Sequence, residues 1–414
     1  MTRHVTIIGG GIIGLACAYY LQQDGHLVRL IEQSTIGKSC ALGNAGYVSP
    51  SHFIPLAAPG MVKKGLKWMF NPESPFYLQP RFNRDLIRWL WLFNRSCSKN
   101  HVNKVKSTLF DLCMRSRALY AQLAEDLPDT FGWQTNGIYV LCQSEKAMAE
   151  ELEILRQGQA LGAQVSAISP LELAQKYPDI EFDIQGGVYF GDDAHLHPGL
   201  LLERLHASLK NSAVEIIENC AIDSINLQHG KVLSVGGNDD VYPVDELVVA
   251  SGAWSPKLLR QLKLNLPIQA GKGYSVTMDN PWRLDTPMIL SEGAVAITPF
   301  GQQIRFGGTL ELSGLDLSIK QRRVDGIFNS VKRFIPNFNL AAVNKESAWA
   351  GLRPCSPDGL PLIGRVANFQ NLLIASGHAM LGLTLAPISG RIIADIIGGK
   401  PTQEWPHLSP DRFQ

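Results

Sequence analysis

Gly9-Gly10-Gly11-Ile12-Ile13-Gly14 spells G-x-G-x-x-G between a short apolar run, His4–Ile8, and a helical stretch from Ile12 to Gln23. That spacing suits a pyrophosphate: Gly9 makes a tight turn, Gly11 lets the phosphates approach the backbone, and Gly14 lets helix and strand close together. The helix N-terminus adds unpaired N–H groups and the positive end of the helix dipole. A second apolar run, Leu27–Ile31, delivers Glu32, an acceptor for ribose hydroxyls that repels a 2′-phosphate. Strand, helix and distal acid together identify a dinucleotide site.

A second fingerprint between a strand and a helix would mark a nicotinamide domain. None qualifies. Gly158 to Gly162 lies inside a helical pattern, and Gly307-Gly308 leads from one strand into another. One dinucleotide domain points to FAD as the redox cofactor. His195-Leu196-His197 lacks a third ligand at suitable spacing and reads as a cap and packing feature before the Pro198 helix, so no metal site is expected. No G-x-S-x-G elbow or Walker loop supports a hydrolase or kinase. Lys plus Arg total 38 against 37 Asp plus Glu, which gives no electrostatic reason to expect nucleic acid. The seven cysteines are scattered without a C-x-x-C pair, as reduced thiols in a cytoplasmic protein would be. No apolar run reaches the ~18 residues that span a bilayer, and no signal peptide is read at the N-terminus.

The elements that must position these groups form an α/β pattern in separated pieces. At 414 residues the chain exceeds one ordinary core. Val214–Ile217, Glu246–Ala250 and Asn371–Ala375 read as further strands of the nucleotide sheet, the last leading into a helix to about Ile397. Residues 273–310 alternate as hairpins of an antiparallel sheet. Residues 37–60 form an irregular, functional loop. The expected fold is a discontinuous Rossmann-like FAD-binding domain (1–50, 186–265, 345–414) with an inserted α+β substrate domain (51–185, 266–344) on an antiparallel sheet.

Two C-terminal blocks are the most specific: Trp349-Ala350-Gly351-Leu352-Arg353-Pro354 running to Gly364, and Ala375-Ser376-Gly377-His378 running to Pro387. With the N-terminal fingerprint, Ala41–Gly46, Ser49-Pro50, Ala57–Gly60, Lys67-Trp68-Met69-Phe70 and Lys272–Ser275, the chain resembles the D-amino-acid-oxidase superfamily of FAD enzymes. Within that superfamily it is most similar to the D-amino-acid dehydrogenase family. The resemblance implies that Gly9, Gly11, Ile12, Ile13, Gly14, Glu32 and Gln33 hold the ADP half of FAD. Gly43, Asn44, Ala45 and Gly46 would pack by the pyrophosphate and flavin, Ala221 and Ile222 by the adenine edge, and Gly252 and Trp254 near the pyrophosphate. Gly351, Gly377, His378, Met380, Leu381, Gly382, Leu383 and Thr384 would lie against the isoalloxazine ring.

Arg353 is the expected anchor for a substrate carboxylate, since a guanidinium fork matches it with two parallel hydrogen bonds. Tyr274 is read either as an added substrate hydroxyl or as an ordinary sheet tyrosine, and His52 either as an active-site residue or as a solvated one. Glycine oxidases carry Tyr and Arg where this chain has Ala296 and Met380, which implies a more apolar pocket. Sarcosine oxidases attach flavin through a Cys at the position of Gly351, so noncovalent FAD is expected.

The activity implied is oxidative deamination of a D-amino acid, or of a cyclic imino acid such as D-proline or hydroxy-D-proline, by hydride transfer from Cα to flavin N5. Electrons would pass to a quinone or other acceptor. An O₂-using oxidase on the same scaffold is the alternative; a flavin domain acting on tRNA and a nicotinamide dehydrogenase rank lower. The Met61–Arg95 segment mixes Lys63, Lys64, Lys67, Arg84 and Arg88 with Trp68, Phe70, Trp89, Trp91 and Phe93. It reads as a buried helix face, with a peripheral patch on the inner face of the cell membrane as the alternative.

Overall fold

The computed structural model describes residues 2–69, 74–127, 130–400 and 405–413; Phe70 lies outside them. Strand β1 (His4–Ile8), helix α1 (Ile12–Gln23) and strand β2 (Leu27–Ile31) form where the sequence places them. α1 is buried along most of its length because it lies between the sheet and the helix Ala386–Ile397, which explains why it is apolar on nearly every side.

Among the described residues the nucleotide sheet has six strands, in the order Leu362–Arg365, Leu372–Ser376, Glu246–Val249, β1, β2, Glu215–Ile217. All pair in parallel except the Leu362–Arg365 edge. Ile7 pairs with both Leu30 and Val248, so β1 is central and buried from Val5 to Ile8, apolar there except for Thr6. A separate three-stranded antiparallel sheet, Ser224–Gln228, Lys231–Gly237 and Asp240–Pro243, was not expected; its two outer strands are largely exposed, and only the central one buries side chains, Val232 and Val235.

The second sheet holds nine strands among the described residues. Its centre, Gln269–Asp279 and Gln303–Leu312, is antiparallel, as the alternation between 273 and 310 predicts. It is not purely so: Met288–Leu290 pairs in parallel with Ile138–Cys142, and Phe76–Leu78 with Gln303–Leu312. Two strands that the sequence reading assigned to the nucleotide domain belong here instead. Gly186–Phe190 pairs with Ile138–Cys142, and Trp349–Cys355 pairs with Gln269–Asp279. Neither local pattern says which sheet the strand joins; only the long-range pairing decides.

The helix Pro198–Lys210 starts where proline predicts it, and the His197 imidazole accepts the Leu200 N–H at 3.1 Å as its cap. Among the described residues no helix is long and apolar enough to cross a membrane.

Candidate active site

The nucleotide turn has the stereochemistry its glycines demand. Gly9 sits at φ +111°, and a Cβ there would lie 2.7 Å from the Ala250 carbonyl oxygen. A Cβ on Gly14 would lie 1.8 Å from the carbonyl oxygen of Gly9. Gly11 differs: the nearest atom to its would-be Cβ is Ser39 Cβ at 4.0 Å, so the missing side chain leaves open space. α1 begins there without a side-chain cap or an acid in its first turn. The first amides of the helix, including those of Ile12, Ile13 and Gly14, lack intrahelical acceptors and are available to an anion. Gly252, at φ +53°, is equally open, and Ser376 Oγ ties its carbonyl at 3.0 Å. Trp254 packs nearby with Cys40 and Leu352.

Glu32 projects from the end of β2 and is held in place: one oxygen accepts the Gly10 N–H at 2.6 Å, the other the Ser34 N–H and hydroxyl at 3.0 and 2.9 Å. Its own carbonyl accepts the Cys220 N–H at 2.9 Å, which brings Ala221 and Ile222 alongside. Gln33 is exposed next to them. These groups fit the adenosine end of a dinucleotide.

The loop at 41–46 is strapped from the second sheet. Arg305 donates to the carbonyls of Leu42 and Asn44 at 3.0 and 2.7 Å, and Ser275 Oγ to that of Gly43 at 2.9 Å. Arg305 is buried and meets no carboxylate among the described residues; burial pulls its guanidinium down to about 10, still cationic at neutral pH. The sequence reading missed it, although an arginine between Ile304 and Phe306 in an alternating strand is a usable signal. Trp349 was missed as well. Its indole covers Gly43 and Gly351, where a Cβ would lie 2.1 and 2.0 Å from the ring. These two glycines serve a tryptophan as much as a flavin.

A cavity of about 780 Å³ opens between the second sheet, the loop after the nucleotide turn and the 380–384 segment, and the structure brings ten of the expected residues to its wall: Gly43, Asn44, Ala45, Gly351, Met380, Leu381 and Thr384 with Arg353, Tyr274 and His52. The remaining C-terminal residues frame it. His378, expected against the flavin, turns its ring away to Ser389 Oγ at 2.9 Å, and burial pushes the imidazole down to about 3. Leu383 offers its carbonyl to Tyr120 Oη at 2.6 Å, while Gly377 packs on Leu362 and Gly46 on the Leu196 carbonyl. Gly382 has nothing closer to its would-be Cβ than His378 Cβ at 3.7 Å.

Arg353 reaches the cavity because Gly273 on the adjacent strand has no side chain; a Cβ there would lie 2.2 Å from Nη1. That nitrogen donates to the Thr309 carbonyl at 2.8 Å. Thr309 sits at φ +67°, costly for a β-branched residue, where the pairing of Gln269–Asp279 with Gln303–Leu312 shifts register. The bulge turns a carbonyl inward to fix the arginine. Arg353 has no carboxylate partner among the described residues, and burial lowers its pKa.

Tyr274 contributes its ring to the wall, but its hydroxyl donates to the buried Glu311 at 3.0 Å. Burial and that carboxylate push the phenol well up, so it stays protonated and its one proton is committed. Glu311 is in turn neutralised by Lys272, 3.6 Å away, and by Lys320. His52 is one of the cavity's side chains rather than a solvated one, and burial pulls it down to about 4.

A dinucleotide cradle on one sheet, a flavin-sized cavity and a cationic anchor on the other define a flavin-dependent oxidoreductase. The chain belongs to the DAO family of FAD-dependent oxidoreductases, whose model matches residues 4–396, and FAD is its cofactor. It is 30% identical over 404 residues to a protein named D-amino acid dehydrogenase from Vibrio atlanticus, covering 95% of this chain and 96% of that one. A second of that name, from Granulibacter bethesdensis, is 31% identical over 406 residues, covering 96% of each. Among solved structures, glycine oxidase from Bacillus cereus matches at 25% identity with a TM-score of 0.78, covering 99% of this chain and 98% of that one. L-proline dehydrogenase from P. horikoshii, at 18% identity and a TM-score of 0.77 over 100% of this chain and 98% of that one, shares the fold.

Proposed function

We propose that the chain is a D-amino-acid dehydrogenase that holds FAD noncovalently and oxidises an amino or cyclic imino acid to the imino acid. The observation that carries this reading is Arg353, a buried cation without a carboxylate partner among the described residues, fixed by Thr309 and facing the cavity. Its free N–H groups take the substrate carboxylate. Ile289, Val295 and Ala296 line the same cavity and suit an apolar side chain or a proline-like ring, with D-proline and hydroxy-D-proline as candidates. The apolar wall excludes water from the reacting carbon. FAD supplies the two-electron acceptor. Cys355 also lines the cavity, but burial pushes its thiol up to about 12, so it is a poor nucleophile for a flavin link.

The acceptor is a quinone or similar apolar carrier, reached at a membrane face. Helices Met61–Trp68 and Arg84–Ser96 bury Leu86 and Trp89, the latter bonded to the Cys355 carbonyl at 2.8 Å. Their other side exposes Leu66, Ile87 and Trp91, each more than half exposed, beside Lys63, Lys67 and Arg84. Leu66, Trp68, Leu90 and Phe93 also line the cavity, so it runs apolar from the site toward that surface. On this reading the protein is cytoplasmic and rests on the inner face of the cell membrane.

The test is anaerobic flavin bleaching by a panel of D- and L-amino acids, including both prolines and hydroxyprolines, followed by reoxidation with a soluble quinone or O₂. Bleaching by D-substrates and reoxidation by quinone are expected. Bleaching by L-substrates alone overturns the stereochemical assignment, and reoxidation by O₂ alone favours an oxidase. Sedimentation with anionic vesicles, lost on Trp91→Glu, checks the membrane face.

A further inference from the structure

Beside the wall that Arg353 anchors, a second set of side chains runs from the cavity into the interior. Asp193 is fully buried. Its Oδ1 accepts the Ser51 N–H at 2.9 Å and its Oδ2 the Ser51 hydroxyl at 2.6 Å. Ser51 Oγ lies 3.1 Å from His52 Nδ1. Ser51 and His52 both line the cavity, and Asp193 does not. No cation pairs with Asp193 among the described residues. A buried carboxylate whose polar company is two serines, Ser51 and Ser49, and no cation is expensive unless it serves a purpose.

The hydrogen-bond count fixes the protons. A serine has a single proton to donate. With Asp193 ionised, the serine proton at 2.6 Å is donated to its carboxylate, which makes the imidazole the donor at the 3.1 Å contact and puts hydrogen on Nδ1. A neutral imidazole protonated on Nδ1 leaves Nε2 as an acceptor, and Nε2 has no protein partner among the described residues. The result is a directed chain: an open acceptor at the cavity, then Nδ1–H to Ser51, then Ser51 O–H to Asp193.

We infer that His52, Ser51 and Asp193 form a proton relay that takes the proton from the substrate's ammonium group before its Cα–H bond is broken. This rests on the amino-acid-oxidising reading given above. The ammonium N–H bond breaks and nitrogen keeps the electron pair. The proton passes to His52 Nε2, Nδ1–H passes its own to Ser51 Oγ, and the serine proton passes to Asp193 Oδ2. Asp193 ends as a carboxylic acid, His52 as the opposite neutral tautomer, and no oxidant is consumed in the step.

The electrostatics agree. Burial, with neighbouring Asp192, pushes Asp193 up to about 7, while hydrogen bonds from Ser51 and Ser49 pull it partly back. The other ionisable groups facing it are Tyr47, Tyr189 and Cys113, with His52 at the end of the chain; burial holds the Tyr47 phenol and the Cys113 thiol protonated. His52, pulled down to about 4, is a conduit, and Asp193 is the resting place matched to neutral pH.

Two measurements test the relay, using the FAD-loaded enzyme. In the first, Asp193→Asn lowers the anaerobic bleaching rate by about 10²-fold at neutral pH and moves the acid limb of the rate–pH profile upward by about one unit. Ser51→Ala does the same, and Ser51→Thr, which keeps a hydroxyl, recovers most of the rate. If wild type bleaches and Asp193→Asn leaves the acid limb in place, the relay is overturned. A wild-type flavin that no amino acid bleaches overturns the functional reading, and the relay's substrate goes with it. The second measurement needs no substrate. Asn is uncharged, so the variant gains melting temperature relative to wild type as pH rises from 4 to 8 and Asp193 ionises. A gap that stays flat across that range overturns the relay whatever the activity.

Discussion

The guanidinium of Arg305, on a strand of the second sheet, holds the carbonyl of Asn44, in the loop that follows the nucleotide turn, at 2.7 Å. With the bond to Leu42 at 3.0 Å and that from Ser275 to Gly43 at 2.9 Å, three successive carbonyls of one loop are fixed by side chains from the other layer. The cofactor loop is therefore tied to the substrate sheet at three consecutive residues.

Arg305→Leu breaks that strap and leaves buried carbonyls unsatisfied, at about 1–3 kcal/mol. FAD affinity falls by roughly 10- to 100-fold, while the substrate KM at saturating FAD changes little. Fluorescence titration of apoprotein with FAD reads it directly. An unchanged FAD affinity shows that the loop holds its shape without the arginine.

Arg353 acts at the other side of the cavity. Arg353→Leu removes a charge-assisted pair of hydrogen bonds, about 2–3 kcal/mol, so kcat/KM falls roughly 30- to 150-fold, mainly through KM. The flavin spectrum and FAD content stay at wild-type values. Gly273→Ala gives a subtler version: a Cβ placed 2.2 Å from Nη1 displaces the guanidinium without removing it, so KM rises while the charge remains. Normal kinetics in both variants would remove Arg353 from the site.

The nucleotide turn was legible because its signal is local. Turn glycines, an apolar helical stretch and two flanking apolar runs all fall within residues 4–32, and the observed β1, α1 and β2 follow them. Arg353 was legible as a residue type within a motif, but not the reason it is held. Thr309 and Gly273, which position it, lie far from it in the chain and meet it through sheet pairing and a register shift. Asp193 and Ser51 are likewise far apart, so their hydrogen bonds leave no pattern in either segment. The sheet membership of Gly186–Phe190 and Trp349–Cys355 was misread for the same reason. Local periodicity reports that a strand exists; its partner is decided by the whole chain.

The glycines of the turn separate folding from cofactor binding. Gly14→Ala puts a methyl group 1.8 Å from the Gly9 carbonyl oxygen, so helix and strand cannot close and the protein loses stability even without FAD. Gly11→Ala meets nothing nearer than 4.0 Å in the protein but fills the space a pyrophosphate would occupy. Its apoprotein melts within a few degrees of wild type and takes up FAD poorly. Melting curves of both apoproteins with FAD titrations distinguish the two; equal loss of apo stability in both would contradict the division of labour.

Tyr274 was open to two readings, a substrate hydroxyl or an ordinary sheet tyrosine, and its hydrogen bond favours the second. Its hydroxyl donates to Glu311, which Lys272 and Lys320 already neutralise, so the phenol stabilises a buried charge cluster rather than offering a proton to substrate. Tyr274→Phe therefore costs about 1–2 kcal/mol of stability and changes kcat/KM by less than about threefold, since the ring remains in the wall. Thermal melting and steady-state kinetics on the same preparation check both halves. A drop in kcat/KM comparable to that of Arg353→Leu, with an unchanged melting temperature, would return the hydroxyl to the substrate and require Glu311 to hold its position through the two lysines alone.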